Sequence, residues 1–555
     1  PPVAQSCSCG RTRARTVFSH PAQLIYGVPM MQPVLIAGRW RPADSVGSFH
    51  SHNPATGNAL PDEFPVSSWN DCDAALSAAA EAAVALRSLP PEKIARFLNR
   101  YADRLDARKA ELSEIAHLET AFPVTPRLAD VELPRTTNQL RQAAAAAVEG
   151  SWALPTIDTK TNIRSTLAPI GPVVVFGPNN FPFAFNAVSG GDFAAAIAAG
   201  NPVIAKGHSL HPGTTRAMAE EAAAALDDTG LPPATLQLLY RLKAESGFRL
   251  VSDRRVGAVA FTGGRASGLA LKAAADKAGK PIYLEMSSIN PVVFLPGALA
   301  ERGAALAEEY AASALLGGGQ FCTNPGLVVM FKGNATEQFI TAVSRTFDKA
   351  TPATLLSKEG AQSLAESVRV LQNAGAELVT AGKAATGTAC SHPNTLLRVS
   401  GHQFLASPEA LQTEAFGTAA VAVVVQNADE AAAVIDHLDG SLTGAIYSAR
   451  DGQDEDLYAS VAARLRPRVG RLLNDKMPTG VAVSPGMNHG GPYPSTGHPG
   501  FTAVGIPASL RRFAALHSFD NVREHRLPPA LRDKNPSGNM WRLIDGRWSQ
   551  SDVAA

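Results

Sequence analysis

The stretch "APIGPVVVFGPNN", residues 168–180, decides how this chain is read. Its β-branched run is short, carries no polar residue and ends in glycine, so it reads as a strand buried on both faces. Four more segments of this kind follow: "NPVIAKGHS" (201–209), "TLQLLY" (235–240), "VGAVAFTGG" (256–264) and "KPIYLEMSS" (280–288). Helical stretches at 191–200, 213–227, 244–252 and 265–278 separate them. Strand and helix alternating at this spacing predict an open parallel sheet covered on both faces. A second α/β pattern runs from about 290 to 480, with strands near 326–331, 419–425 and 443–447. The fold class is α/β, with two parallel-sheet, Rossmann-like domains in series.

Before the first strand the pattern is helical. "WNDCDAALSAAAEAAVALRSLP" (69–90) offers Asn or Asp as an N-cap and stops at Pro90. "PEKIARFLNRYADRLDARKAELSEIAHLET" (91–120) repeats apolar residues at three and four, and another helix is expected over 135–150. "LIAGRW" (35–40) and "LIDGRW" (543–548) each read as a hairpin turning on a glycine. Residues 1–30 hold three arginines and no acidic residue, and read as an extension ahead of the folded part or as a transit peptide.

The bulk numbers exclude several classes. At 555 residues the chain is too long for one core. Fifty basic residues against 49 acidic leave a net charge of +1, which argues against nucleic acid or a polybasic membrane patch as partner. No apolar run is long enough to cross a bilayer. Cys7, Cys9, Cys72, Cys322 and Cys390 are too few and too scattered for a disulfide framework, so a reducing, cytoplasmic compartment is expected.

In a parallel sheet, functional residues belong at the C-terminal strand ends. Here those ends carry Asn180, Lys206, Thr262-Gly263-Gly264 and Glu285. "FTGGRASG" lacks the G-x-G-x-x-G spacing, but a glycine turn opening a helix can hold phosphate through backbone N–H groups. Glu285 ends an otherwise apolar strand. A buried carboxylate must be paired or have its pKa raised, and the latter suits a general base. "GGGQFCTNPG" (317–326) sets Cys322 on a glycine-permitted turn with no second Cys or His at metal-ligand spacing, so no metal site is expected there. That leaves a reactive thiol or a small buried residue.

Together "FGPNNFPF", "VIAKGHS", "AFTGGRASG", "LEMSSINP", "GQFCTNPG" and "EAFG" (414–417) resemble, in order and spacing, the aldehyde dehydrogenase superfamily over about residues 31 to 515. "LEMSSINP", "GQFCTNPG" and "MNHGGPYP" (487–494) are most similar to its α-ketoglutaric semialdehyde (2,5-dioxovalerate) and NADP-dependent branch. The resemblance implies an NAD(P)-dependent oxidation of an aldehyde to an acid, with Cys322 as nucleophile. Asn180 and the Cys322 N–H would hold the oxyanion, and Glu285 would activate the hydrolytic water. Phe176, Lys206, His208, Ser209, Gly230, Thr262, Gly263, Gly264, Glu414 and Phe416 would bind the cofactor. That cofactor would be NADP, with NAD as the alternative, because Ser209 stands where NAD-preferring members have a glutamate. The helix "PRTTNQLRQAAAAA" (134–147) would line the substrate entrance. Asn138, Gln139 and Arg141 would take a distal carboxylate, and Phe181 would stand nearby. If the arginine is only solvated, Phe181, Phe183 and Phe185 suit a medium- or long-chain aldehyde instead.

The implied organisation is residues 31–287 as the N-terminal helices and cofactor-binding domain, with an oligomerisation arm near 150–168. Residues 288–485 would be the catalytic domain and 486–555 a C-terminal oligomerisation segment and tail. A homodimer or homotetramer follows from the same resemblance. There are departures: Asn179 replaces the usual tryptophan and "EMSS" replaces "ELGG". Two other readings are a catalytically retired member and a thiol hydrolase on Cys322. The latter needs a histidine base, and His208, His211, His489 and His498 fall in no motif that places them beside the thiol.

Overall fold

The computed structural model describes residues 31–383 and 390–554. The expected extension at 1–30, with Cys7 and Cys9, lies outside the described residues.

Five parallel strands form the first sheet: β1 (Val173–Phe176), β2 (Val203–Lys206), β3 (Leu236–Leu239), β4 (Ala258–Thr262) and β5 (Ile282–Glu285). Their order is β5-β4-β1-β2-β3, and the hairpin Val34–Ile36/Arg39–Arg41 adds two antiparallel strands beside β3. The register aligns Phe176 with Lys206 and Phe261, and Thr262 with Glu285, so the polar strand ends share one edge. Every residue of β1 is buried, as a strand covered on both faces requires. The covering helices are Gly191–Ala198, Pro212–Thr229, Ala244–Val251 and Arg265–Lys277.

The second sheet holds β6 (Val292–Phe294), β7 (Leu327–Phe331), β8 (Thr395–Ser400), β9 (Ala419–Val425), β10 (Ser441–Tyr447) and β11 (Val469–Asn474). Their order is β8-β9-β7-β6-β10-β11, all parallel, with antiparallel Glu377–Thr380 outside β8. Only six residues separate Glu285 from Val292, so the chain passes almost directly from one sheet to the other.

A five-stranded arm combines Thr156–Asp158, Ile163–Pro169, Ala514–Asp520 and the hairpin Arg542–Ile544/Arg547–Ser549. Both "LI-GRW" segments are hairpins as read. Ser68, not Asn70 or Asp71, caps the helix Trp69–Leu86, its Oγ accepting from the Asn70 N–H at 3.0 Å. The periodic stretch 91–120 is two helices, Pro91–Ala107 and Lys109–Thr120, broken at Arg108. Among the described residues no helix is long and apolar enough to cross a membrane.

Candidate active site

Cys322 owes its position to glycine. Gly317, Gly318 and Gly319 have φ of +59°, +66° and +71°, a left-handed run that side chains resist. A Cβ on Gly319 would lie 2.2 Å from the backbone carbon of Gly417, so this turn passes hard against the segment carrying Glu414 and Phe416. From it the Cys322 side chain enters a cavity of about 330 Å³ between the two sheets. The same cavity is lined by Asn180, Thr262, Gly263, Gly264, Glu285, Glu414 and Phe416, together with Pro178, Asn179, Met286, Ser287 and Ser363.

The thiol has a neighbour that sequence reasoning missed. His489 Nε2 stands 3.5 Å from Cys322 Sγ and 3.0 Å from Glu285 Oε1. His489 and Glu285 are both 1 % exposed, and Glu285 Oε2 has no partner. One ring nitrogen therefore faces both the thiol and the carboxylate. The signal was present in "MNHGGPYP". A Cβ on Gly490 would lie 2.1 Å from the Phe501 carbonyl oxygen, and one on Gly491 2.4 Å from that of Ser441. Paired glycines beside a histidine here mark a loop pressed into the core, not a free one. The segment is laced to both sheets: Glu285 bridges Thr496, and Gly440 bridges Pro494.

Burial pushes the Cys322 thiol well above the usual cysteine value, the nearby Glu285 carboxylate pushes it further, and Arg135 pulls it back. The resting group is a thiol that needs a base. Asn180 is buried and donates one Nδ2 hydrogen to the Gln320 carbonyl at 2.9 Å, which fixes its amide next to the Cys322 turn and leaves its second N–H. Glu414 accepts from the Ser288 N–H at 3.2 Å, and burial raises its pKa to about 7.

The remaining strand ends fit a dinucleotide. Gly264 opens the helix Arg265–Lys277 with no side-chain cap, and nothing lies within 4 Å of where its Cβ would be. Free backbone N–H groups at an uncovered helix start suit a pyrophosphate. Thr262 Oγ1 is buried without a partner. A Cβ on Gly263 would meet the Phe261 ring at 2.9 Å, and that ring packs on Phe176 at 6.1 Å. Lys206 ends β2, where burial and the charge of Arg241 lower its pKa to about 8.

Five expected binding residues need correction. Gly230 caps the helix Pro212–Thr229 in the left-handed conformation (φ +65°), ahead of β3, at the opposite sheet edge from Lys206. His208 stacks on His211 at 5.4 Å, and burial beside His211 and Lys206 holds it well below its usual pKa, so it is no cation for a phosphate. Arg141 pairs with Asp103 at 2.7 Å and Asp106 at 2.8 Å on the helix Pro91–Ala107, and Asn138, three residues before it, is exposed. Gln139 is buried but spent on the Ala184 carbonyl at 2.9 Å and the Ser189 carbonyl at 3.3 Å. The reading of the helix Leu133–Glu149 had the wrong face. Positions 138 and 141 look outward, whereas Arg135, Gln139 and Gln142 look inward, with Arg135 Nε bonded to the Val481 carbonyl at 3.2 Å and Gln142 to that of Val483 at 3.4 Å. Phe181 does stand at the site, edge-on to Phe321 at 5.4 Å.

The profile of the aldehyde dehydrogenase family matches residues 40–496. The chain is 38% identical to α-ketoglutaric semialdehyde dehydrogenase 2 of Azospirillum brasilense, over 92% of this chain and 98% of that protein. It is 33% identical to α-ketoglutaric semialdehyde dehydrogenase of Acinetobacter baylyi, over 88% and 93%. Among solved structures it resembles PnpE in complex with nicotinamide adenine dinucleotide (TM-score 0.76, 20% identity, 89% of this chain and 99% of that one). It also resembles an aldehyde dehydrogenase of Pseudomonas syringae complexed with NAD+ and octanal (TM-score 0.76, 21% identity, 88% and 96%).

Proposed function

The chain belongs to the aldehyde dehydrogenase family, and we propose that it oxidises α-ketoglutaric semialdehyde to 2-oxoglutarate with NADP as the preferred acceptor. The observation that carries the chemistry is the Cys322–His489–Glu285 contact at the end of a dinucleotide-type sheet. The substrate is taken from the two relatives that match nearly end to end.

His489 Nε2 takes the Cys322 proton and, once protonated, donates to Glu285 Oε1. The thiolate adds to the aldehyde carbon and forms a thiohemiacetal, whose oxyanion is held by the Asn180 amide and the Cys322 N–H. A nicotinamide held at these strand ends would supply the acceptor for the hydride of that carbon, which leaves a thioester on Cys322. Glu285, whose Oε2 is unpartnered, takes a proton from the water that hydrolyses it. The acid leaves and the thiol is restored.

The cofactor preference rests on charge. Lys206 and Arg241 bring two cations to the end of β2, and Ser209 supplies no carboxylate to repel a 2′-phosphate. A Cys–His pair alone would also suit a thiol hydrolase, but hydrolysis has no use for the dinucleotide-type strand ends. The deciding assay mixes the enzyme with NADP or NAD and α-ketoglutaric semialdehyde and follows absorbance near 340 nm. Faster reduction of NADP is expected. No reduction of either nucleotide with any of several aldehydes overturns the reading. Reduction with other aldehydes but not this one overturns the substrate only. Cytoplasmic placement and a homodimeric or homotetrameric state belong to the same proposal.

A further inference from the structure

Two half-buried arginines near the thiol have no anion of their own. Arg135 gives its Nε hydrogen to the Val481 carbonyl, and its Nη1 is buried with no partner. Its guanidinium lies over the Phe185 ring at 5.0 Å and the Phe181 ring at 5.9 Å. Phe185 in turn faces the His489 ring at 5.6 Å, and Phe181 faces Phe321, the residue before Cys322. Arg471 on β11 binds the Pro478 carbonyl at 2.9 Å and the Gly480 carbonyl at 3.2 Å, and its Nε is buried and unpartnered. The two guanidiniums thus grip adjacent residues of one loop, Gly480 and Val481.

The acid three residues before Arg135, just ahead of its helix, is already engaged. Glu132 accepts from the Phe183 and Ala184 N–H groups at 2.8 and 3.0 Å and pairs with Arg127 at 3.2 Å. Among the described residues no carboxylate forms an ion pair with Arg135 or Arg471. A buried guanidinium N–H without an acceptor is costly, and a site tolerates it where a ligand supplies the missing oxygen and charge.

We propose that Arg135, assisted by Arg471, binds the carboxylate at the far end of the aldehyde substrate. This rests on the acidic-semialdehyde reading above and assigns its recognition to residues on the inward face of the helix. Two unpartnered N–H groups match the two oxygens of one carboxylate, and Phe181 and Phe185 flank the carbon chain between it and Cys322. Burial lowers the pKa of Arg135 only to about 10, so its charge is present at neutral pH.

The test compares α-ketoglutaric semialdehyde with pentanal, a neutral aldehyde of the same length, in the wild type, Arg135→Leu and Arg135→Lys. The wild type is expected to favour the acid. Arg135→Leu should reduce the ratio of the two kcat/KM values by about 50-fold, mostly through KM for the acid. Arg135→Lys should restore part of it. An unchanged ratio overturns the proposal. So does an equal loss of kcat on both substrates with slower alkylation of Cys322, because Arg135 would then serve only the thiol. Glutarate binding to the whole protein, measured by calorimetry, reads the site without turnover and separates this proposal from the activity. Arg135→Leu, checked for an unaltered melting profile, should weaken it at least tenfold, and equal binding overturns the assignment.

Discussion

Cys322 and His489 are 167 residues apart in the chain and meet at 3.5 Å, Sγ to Nε2. The contact puts an imidazole within reach of a thiol made less acidic by burial and by a neighbouring carboxylate. Both neighbours of the imidazole use the same nitrogen, so the proton path from sulfur to Glu285 passes through one atom.

His489→Asn should therefore slow alkylation of Cys322 by iodoacetamide and lower kcat/KM by about 100-fold or more. The raised thiol pKa fixes the sign with pH. The thiolate is scarce below the folded pKa and grows as pH rises, so the variant should recover part of its alkylation rate in alkaline buffer. An alkylation rate equal to the wild type across the pH range would remove His489 from the thiol's activation.

Glu285→Gln should separate the two halves of the reaction. The first turnover proceeds through Cys322 and His489, but the thioester waits for a base. A burst of reduced nucleotide followed by slow turnover is expected in stopped flow. Burst and steady state lost together would place Glu285 in the first half.

NADP affinity should fall as pH rises through about 8. Lys206 is charged below that value in the free protein and loses its proton above it, and only the charged form attracts the 2′-phosphate. NAD, which lacks that phosphate, should show a shallower slope in the same titration. Ser209→Glu should shift the preference toward NAD through repulsion. Parallel slopes for the two nucleotides would remove Lys206 from the phosphate.

Gly319→Ala should destabilise the protein by about 1–3 kcal/mol. It places a side chain at φ +71° against the Gly417 backbone. Denaturant unfolding measures the loss. Activity should fall further than stability, since the turn carries Cys322, the proposed nucleophile.

The strands of the first sheet could be read because burial on both faces writes unbroken β-branched runs such as "VVVF" and "VIA". β8 and β11 are absent from the sequence reading because "TLLRVS" and "VGRLLN" interleave polar residues with the apolar ones, and β6 because it is only three residues long. Cys322, Asn180 and Glu285 are all brought to one cavity, each being next to a glycine turn or at a strand end. The helix Leu133–Glu149 misled because its alanines, buried on more than one face, leave the phase of its polar residues undefined. His489 lies in a stretch outside helices and strands, and only its glycine neighbours betray the packing.

The segment that delivers His489 is also stitched to both sheets, and just before it Pro485, Gly486 and Asn488 lie exposed. Fold and competence are therefore separable at one point. A protease that nicks this tip leaves every ladder of the two sheets covalently intact but frees one end of the latch that holds the imidazole between sulfur and carboxylate. The cleaved protein should keep its melting behaviour and lose aldehyde oxidation. On the proposed mechanism, a peptide bond far from Cys322 in sequence thus governs whether the enzyme is armed.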